Sequence, residues 1–149
     1  TVAVKLYPFV LICILLFSFK ERENIDIVSH PIRIELSNIR NNDGHIFVFI
    51  YAYENQYPYK PFKHYKVKKD KVTNGSLTVT IPNLPMDRKY AIALLDDENN
   101  NQDMDRWLGI PKEGYGFSNN IKPFLSLPDY SDLVVDLSTS IKIKLQYKL

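Results

Sequence analysis

Only one cysteine, Cys13, occurs in the 149 residues, and it lies inside an apolar run near the N-terminus. The rest of the chain has no thiol for a disulfide framework, a thiolate metal centre or a cysteine nucleophile, so its stability must come from packing. An excess of charge of one sign is lacking too. The formal net charge of +2 is too small to demand nucleic acid or an anionic membrane as a partner. His30, His45 and His64 have no metal-ligand spacing, Ser118 has no nucleophile-elbow context, and no signature for acyl or phosphoryl transfer occurs. No catalytic residue is assigned, and an enzyme is not expected.

An uninterrupted run of the roughly 20 apolar residues needed for a spanning helix is also missing. The nearest approach is LYPFVLICILLFSF, residues 6–19, preceded by Lys5 and followed by KERE, the charge–apolar–polar order of a secretory signal. Lys5 separates it from Val2, Ala3 and Val4, and Pro8 sits near its start. Residues 1–20 are therefore expected to be a signal peptide or signal anchor, with cleavage favoured although no small-x-small site stands out near Ser18. Leu11 and Ile12 precede Cys13 where a lipoprotein signal has small residues, which disfavours lipidation. Residues 21–30 read as a polar joint, and residues 31–149 as one domain.

What is present is strand after strand. PIRIELSNI alternates Ile32, Ile34 and Leu36 with Arg33, Glu35 and Ser37, the period of a half-buried strand. NNDG, residues 41–44, then predicts a tight turn into HIFVFIYAY, which is apolar on both faces like a central strand, and the two together read as a hairpin. SLTVTIP alternates again, NLPMDRKY supplies a turn, and residues 90–95 form another doubly apolar strand with Tyr90 as a candidate corner tyrosine. DLVVDL and IKIKLQY complete the set, the latter placing Lys142, Lys144, Gln146 and Lys148 opposite Ile141, Ile143, Leu145 and Tyr147. Helical periodicity is not found outside the N-terminal region. The predicted fold is all-β, an antiparallel sandwich of about seven strands in the transthyretin or immunoglobulin manner, with one long acidic loop.

That loop carries the chemistry. Asp97, Asn99, Asn101, Asp103 and Asp105 recur at alternate positions, as in loops that turn several oxygens toward a hard cation such as calcium. Gln102 stands where an EF-hand-like loop has its turn glycine, and Leu108 where a bidentate Glu would close the shell; Glu113 can supply that carboxylate if residues 108–111 fold back. The competing reading is an Asx-rich turn whose side chains cap their own backbone, with Arg106 and Lys112 offsetting the charge.

The run DENNNQDMDRWLGIPKEGYGFSNN resembles bacterial domain-of-unknown-function family 2141, with its Asp-x-Asn-x-Asn-Gly-x-x-Asp loop followed by Gly-x-Pro-x-Glu-x-x-Gly-Phe-Ser. Asp97, Asn99, Asn101, Asp105, Gly109, Pro111, Glu113, Gly116, Phe117 and Ser118 match, Gln102 departs, and the resemblance extends over residues 31–147. It implies an exported transthyretin-like or carboxypeptidase-regulatory-like β-sandwich, in the periplasm or on the surface of a Gram-negative bacterium, and no established activity.

Trp107, Tyr115 and Phe117 flank the loop as a candidate stacking surface for a sugar or peptide, or as plugs at the sandwich end. Gly109, Gly114 and Gly116 are expected to serve unusual backbone angles. In residues 53–71, five aromatic residues alternate with Lys60, Lys63, Lys66, Lys68, Lys69 and Lys71, which reads mainly as a solvated connector or edge. The expectation is a non-catalytic cell-envelope domain, with calcium as a possible cofactor and Asp97, Asn99, Asn101, Asp103, Asp105 and Glu113 as ligands. Its partner would be an envelope glycan or protein, not nucleic acid, with membrane contact only through the N-terminal segment. The alternative is a carbohydrate-processing enzyme or carbohydrate-binding accessory domain using the same loop.

Overall fold

The three segments with clean alternation meet in one sheet. In the computed structural model, which describes residues 29–138 and 140–148, strand β1 (Ser29–Ser37) lies between β4 (Leu77–Pro85) and β9 (Ile141–Lys144). Their inward residues, Ile34, Leu36, Val79, Ile81 and Ile143, are buried, while Arg33, Thr78, Thr80, Lys142 and Lys144 face out. The doubly apolar segments form the core of a second sheet, ordered β3 (Lys63–Lys68), β2 (His45–Tyr51), β5 (Ala91–Asp97) and β8 (Gly114–Phe117). Ile46, Val48 and Ile50 of β2 and Ile92 and Leu94 of β5 join the inward residues of the first sheet in one cluster. This is the interdigitated core of a sandwich. The expected signal lies outside the described residues, and β1 begins at Ser29, inside the segment read as a joint.

Three expectations are corrected. Residues 31–39 and 45–53 do not form a hairpin: β1 pairs with β4 and β9, whereas β2 pairs with β3 and β5. The connection is a crossover between layers, because Asn38 turns the chain out of the first sheet at φ 64° and the Ile39 amide is taken by the Gly75 carbonyl. Gly44, at φ 71°, then brings its backbone so close to β5 that an added Cβ would lie 1.9 Å from the Asp97 carbonyl oxygen. The sandwich is not wholly antiparallel either, since β9 runs parallel to β1. Finally, DLVVDL is not a strand; it contributes the end of a four-residue helix, α1 (Tyr130–Leu133), and one bridge between Val135 and Tyr90. Leu133, buried on the outer side of the second sheet, explains the departure.

Tyr90 does form the expected corner. Its ring is fully buried, and its hydroxyl donates 2.9 Å to the Pro85 carbonyl five residues back, tying the end of β4 to the start of β5.

A buried ion pair lies where the sequence pattern predicts only solvated lysines. Lys69, grouped above with solvated lysines, has no exposed side chain and pairs at 2.6 Å with Asp96, which is equally buried. Lys69 Nζ also donates to Asn41 Oδ1 at 2.9 Å, and the Tyr147 hydroxyl donates to the other Asp96 oxygen at 2.6 Å. Burial pushes the Asp96 carboxyl above the ordinary range, against the opposing pull of Lys69 and Tyr147, and it pushes the Tyr147 hydroxyl up as well, with Asp96 adding to it. A buried charge stripped of its partner is far costlier than an apolar replacement of the whole group. Lys69→Met alone should therefore cost about 3–5 kcal/mol in urea unfolding, whereas Lys69→Met with Asp96→Leu and Tyr147→Phe should recover most of it. A single variant as stable as the parent would show that the pair is dispensable.

Candidate functional site

Residues 97–113 close into a hairpin-tipped loop whose own side chains satisfy its backbone. Asp97, fully buried at the end of β5, accepts the Asn101 amide at 3.1 Å on one oxygen and the Gln102 amide at 2.9 Å on the other. The Asn99 side chain accepts the Asn101 amide, and the Asn101 side chain accepts the Asp103 amide, two Asx turns in succession. Two further strands, β6 (Arg106–Trp107) and β7 (Ile110–Pro111), then fold the chain back through Leu108 and Gly109, both at positive φ. That return carries Glu113 into the loop, where its buried carboxylate accepts the Glu98 amide at 2.9 Å and the Asp105 amide at 3.1 Å.

The six residues expected as metal ligands are thus distributed in three ways. Asn99, Asn101 and Asp105 meet: the Asn99 and Asn101 side-chain nitrogens lie 2.5 and 3.0 Å from the two Asp105 carboxylate oxygens. Asp97 and Glu113 face backbone amides from inside the loop. Asp103 stands apart, accepting the Met104 amide. Among the described residues no group of three or more His, Cys, Asp or Glu side chains is gathered as for a metal. Gln102 occupies its glycine-like position at φ 66°, the left-handed region that an L side chain adopts only at a cost.

The matched glycines and serine serve packing. Gly114 and Gly116 do not have the unusual angles expected of them, unlike Gly109 at φ 81°. They are small because β9 and its extension press against β8: a Cβ on Gly114 would lie 2.4 Å from the Tyr147 ring, and one on Gly116 2.8 Å from Ile143. Ser118 is fully buried, accepting the Ile92 amide at 3.0 Å and donating to the Leu133 carbonyl at 2.5 Å.

The neighbouring charges anchor the loop to the sandwich. Arg40 makes a bidentate pair with Glu98 at 2.6–2.7 Å, stacks 4.6 Å from the Tyr147 ring and donates to the Lys112 carbonyl. The Arg40 guanidinium holds the Glu98 carboxyl below its usual range.

A second feature lies on the outer face of the four-stranded sheet. Cross-strand register there sets Phe49 and Phe117 on either side of Ala93, and Phe47 and Tyr115 on either side of Leu95. A methyl group between two rings leaves a trough. The resulting cavity of about 570 Å³ is lined by Phe49, Tyr51, Tyr57, Ala93, Tyr115 and Phe117, with Met104, Arg106, Gly109 and Pro111 along one side and residues 123–127 with Lys148 along the other. Tyr115 and Phe117 are 6% and 5% exposed and belong to a second apolar cluster, which fits the reading of them as plugs and not as an open stacking surface; of the three rings only Trp107, 58% exposed, stands clear. Burial pushes the Tyr51 hydroxyl up to about 12, and it donates to the Pro58 carbonyl. The hydroxyls of Tyr57 and Tyr115 are buried without a hydrogen-bond partner among the described residues. The doubly apolar pattern of residues 45–51 and 91–95 was the signal for this layer; read alone it indicates only a central strand.

The profile of a family described as uncharacterised protein conserved in bacteria (DUF2141) matches residues 34–144. No curated protein and no solved structure matches the chain.

The strain at Gln102 has a direct consequence. Gln102→Gly should stabilise the protein by roughly 0.5–1 kcal/mol in urea unfolding, after the greater freedom of glycine in the unfolded chain is subtracted. A loss of stability would show that contacts of the Gln102 side chain outweigh the strain.

Proposed function

The chain belongs to the DUF2141 family of uncharacterised bacterial proteins, and from that premise we propose that it is a non-catalytic module of the cell envelope, exported across the inner membrane, that binds or presents a ligand on the outer face of its four-stranded sheet. One observation carries this reading: an apolar trough of about 570 Å³, within the range of small-molecule sites, has the exposed Phe124, Leu125 and Leu127 in its lining, and the hairpin that adds Arg106, Gly109 and Pro111 to it exposes Trp107, Leu108 and Ile110. Exposed apolar residues lining a concavity mark a binding surface more often than an idle one. A non-catalytic role is supported by the use of the Asp97 and Glu113 carboxylates, which accept backbone amides. The apolar run at residues 6–19 supports export.

Calcium bracing of the loop is a second reading, favoured by the meeting of Asn99, Asn101 and Asp105. An asparagine amide presents oxygen to a cation as readily as nitrogen to a carboxylate. Exposed Trp107 favours a carbohydrate as the ligand in the alternative version of this reading.

Two measurements separate these statements. The dye 8-anilinonaphthalene-1-sulfonate should fluoresce on binding the folded protein, and Ala93→Trp, which fills the trough, should abolish that signal without lowering the thermal midpoint by more than about 4–8 °C. An undiminished signal in the filled variant would place the binding surface elsewhere, and retention on a glycan array lost with Trp107→Ala would assign it to the hairpin. Calcium at about 100 times its dissociation constant should add about 2.7 kcal/mol to stability, a gain absent from Asp105→Ala; equal midpoints in saturating calcium and in chelator would remove the ion.

A further inference from the structure

Resting on the trough reading above, we propose that the occupant of the trough is a second copy of this chain, with residues 124–127 of each copy seated in the trough of the other. The two halves of such a contact lie side by side on one face. Residues 123–127 form one side of the trough, and Phe124 and Leu125 stand 86% and 89% exposed there, while between Phe49 and Phe117 the floor offers only the methyl group of Ala93. A ridge and a hollow of the same apolar character on one face meet the self-complementarity that a two-fold interface requires.

The exposed area is of the right size. Six of the eight large hydrophobic residues that stand exposed among the described residues fall within residues 107–110 and 124–127, so the exposure is concentrated and not scattered. Those six present apolar surface on the order of 700 Å², above the roughly 300–600 Å² of the largest patch on an ordinary monomer and close to the ~800 Å² that each partner gives a stable interface. The ridge is also held in place before any contact forms. Pro123 and Pro128 bracket it and restrict the residues before them, Pro128 is buried, and the Gln146 side chain donates 3.1 Å to the Ile121 carbonyl just upstream. A segment fixed in advance loses little freedom on docking.

Charge favours a second copy over a lipid surface. Arg106 and Lys148 share the trough lining with Asp103, and Lys122 and Asp129 flank the ridge. A rim of one sign would repel its own duplicate, whereas a rim that carries both signs escapes that penalty. The same mixture gives an anionic bilayer little to hold, and a flat bilayer would leave the hollow unfilled.

The test is sedimentation velocity of the full chain over a range of concentrations, beside thermal unfolding at a concentration where it is monomeric. The parent should dimerise reversibly, and dye fluorescence per chain should fall as the troughs fill. Phe124→Asp with Leu125→Asp should raise the dimer dissociation constant at least about thirtyfold and leave the midpoint unchanged, since both side chains are exposed. Ala93→Trp, which fills the hollow from within, should weaken the dimer at least about tenfold. In a mixture of these two variants one supplies an intact ridge and the other an intact trough, so the mixture should associate more tightly than either variant alone. A ridge variant that dimerises like the parent, or a mixture no tighter than its components, would overturn the seating of ridge in trough. A monomeric parent whose dye signal is lost in Ala93→Trp would overturn the second copy and keep the trough; a monomeric parent whose dye signal survives in that variant would overturn both. Co-sedimentation of a monomeric parent with phosphatidylglycerol vesicles, lost in the ridge variant, would overturn the second copy in favour of a membrane.

Discussion

An ion pair with no exposed side chain sets the geometry of one end of this sandwich. Lys69 follows the edge strand β3, Asp96 lies near the end of the central strand β5, Asn41 belongs to the crossover between sheets, and Tyr147 follows β9. Four otherwise separate parts of the chain therefore meet at one carboxylate and one ammonium group. Hydrogen bonds of this kind are directional, and once buried they tolerate no slippage of the strands that carry them. The acidic loop starts at the next residue, and the Arg40–Glu98 pair repeats the arrangement one layer further out, between the same crossover and the loop. Apolar packing holds the two sheets together; this polar knot decides their register at the end where the loop leaves.

The two sheets differ in what they do with their outer faces. In the three-stranded sheet that face is charged and polar, and it carries the shallow depression lined by Glu35, Thr78 and Lys142. In the four-stranded sheet it is aromatic, and the chain between β8 and β9 lies over part of it, with Leu133 and Tyr130 packed on Tyr51 and Ala91. The cover stops short of Ala93, and the trough is where it stops. Ser118 fastens the start of that cover to β5 and to Leu133, so the cover is held by side-chain hydrogen bonds to backbone groups as well as by packing.

Much of this was legible beforehand, and the divisions are physical. Alternation in residues 32–37, 76–81 and 141–145 identified strands with one wet face, because burial on a pleated surface repeats every second residue. Tyr90 was readable from its position after a turn. Pairing was not readable, since a strand's pattern says which side is dry but not which strand lies beside it; hence the false hairpin across residues 41–44. Lys69 looked like one lysine among several because burial of a charge depends on a partner distant in sequence. In the loop, alternate Asp and Asn residues fit both a cation shell and self-capping turns, and the folded chain employs most of them as caps. Residues 108–111 do turn back, the condition on which Glu113 could join the loop, but its carboxylate accepts backbone amides there; of the two readings of Tyr115 and Phe117, stacking surface or plugs, their burial favours plugs.

The extension of β9 has a consequence for how the molecule comes into being. Residues 141–144 pair with β1 in one sheet, and Gln146 exchanges two backbone hydrogen bonds with Tyr115 in the other. Residues 141–146 are therefore a clasp across both layers, and on a ribosome they emerge after the other strands of the sandwich. Until then β1 and β8 each present a bare row of amides and carbonyls, the kind of edge that recruits strands from other chains. A nascent chain of this protein is consequently at greatest risk of misassociation just before synthesis of the clasp, and its lysines at 142 and 144 arrive with the very residues that end that risk.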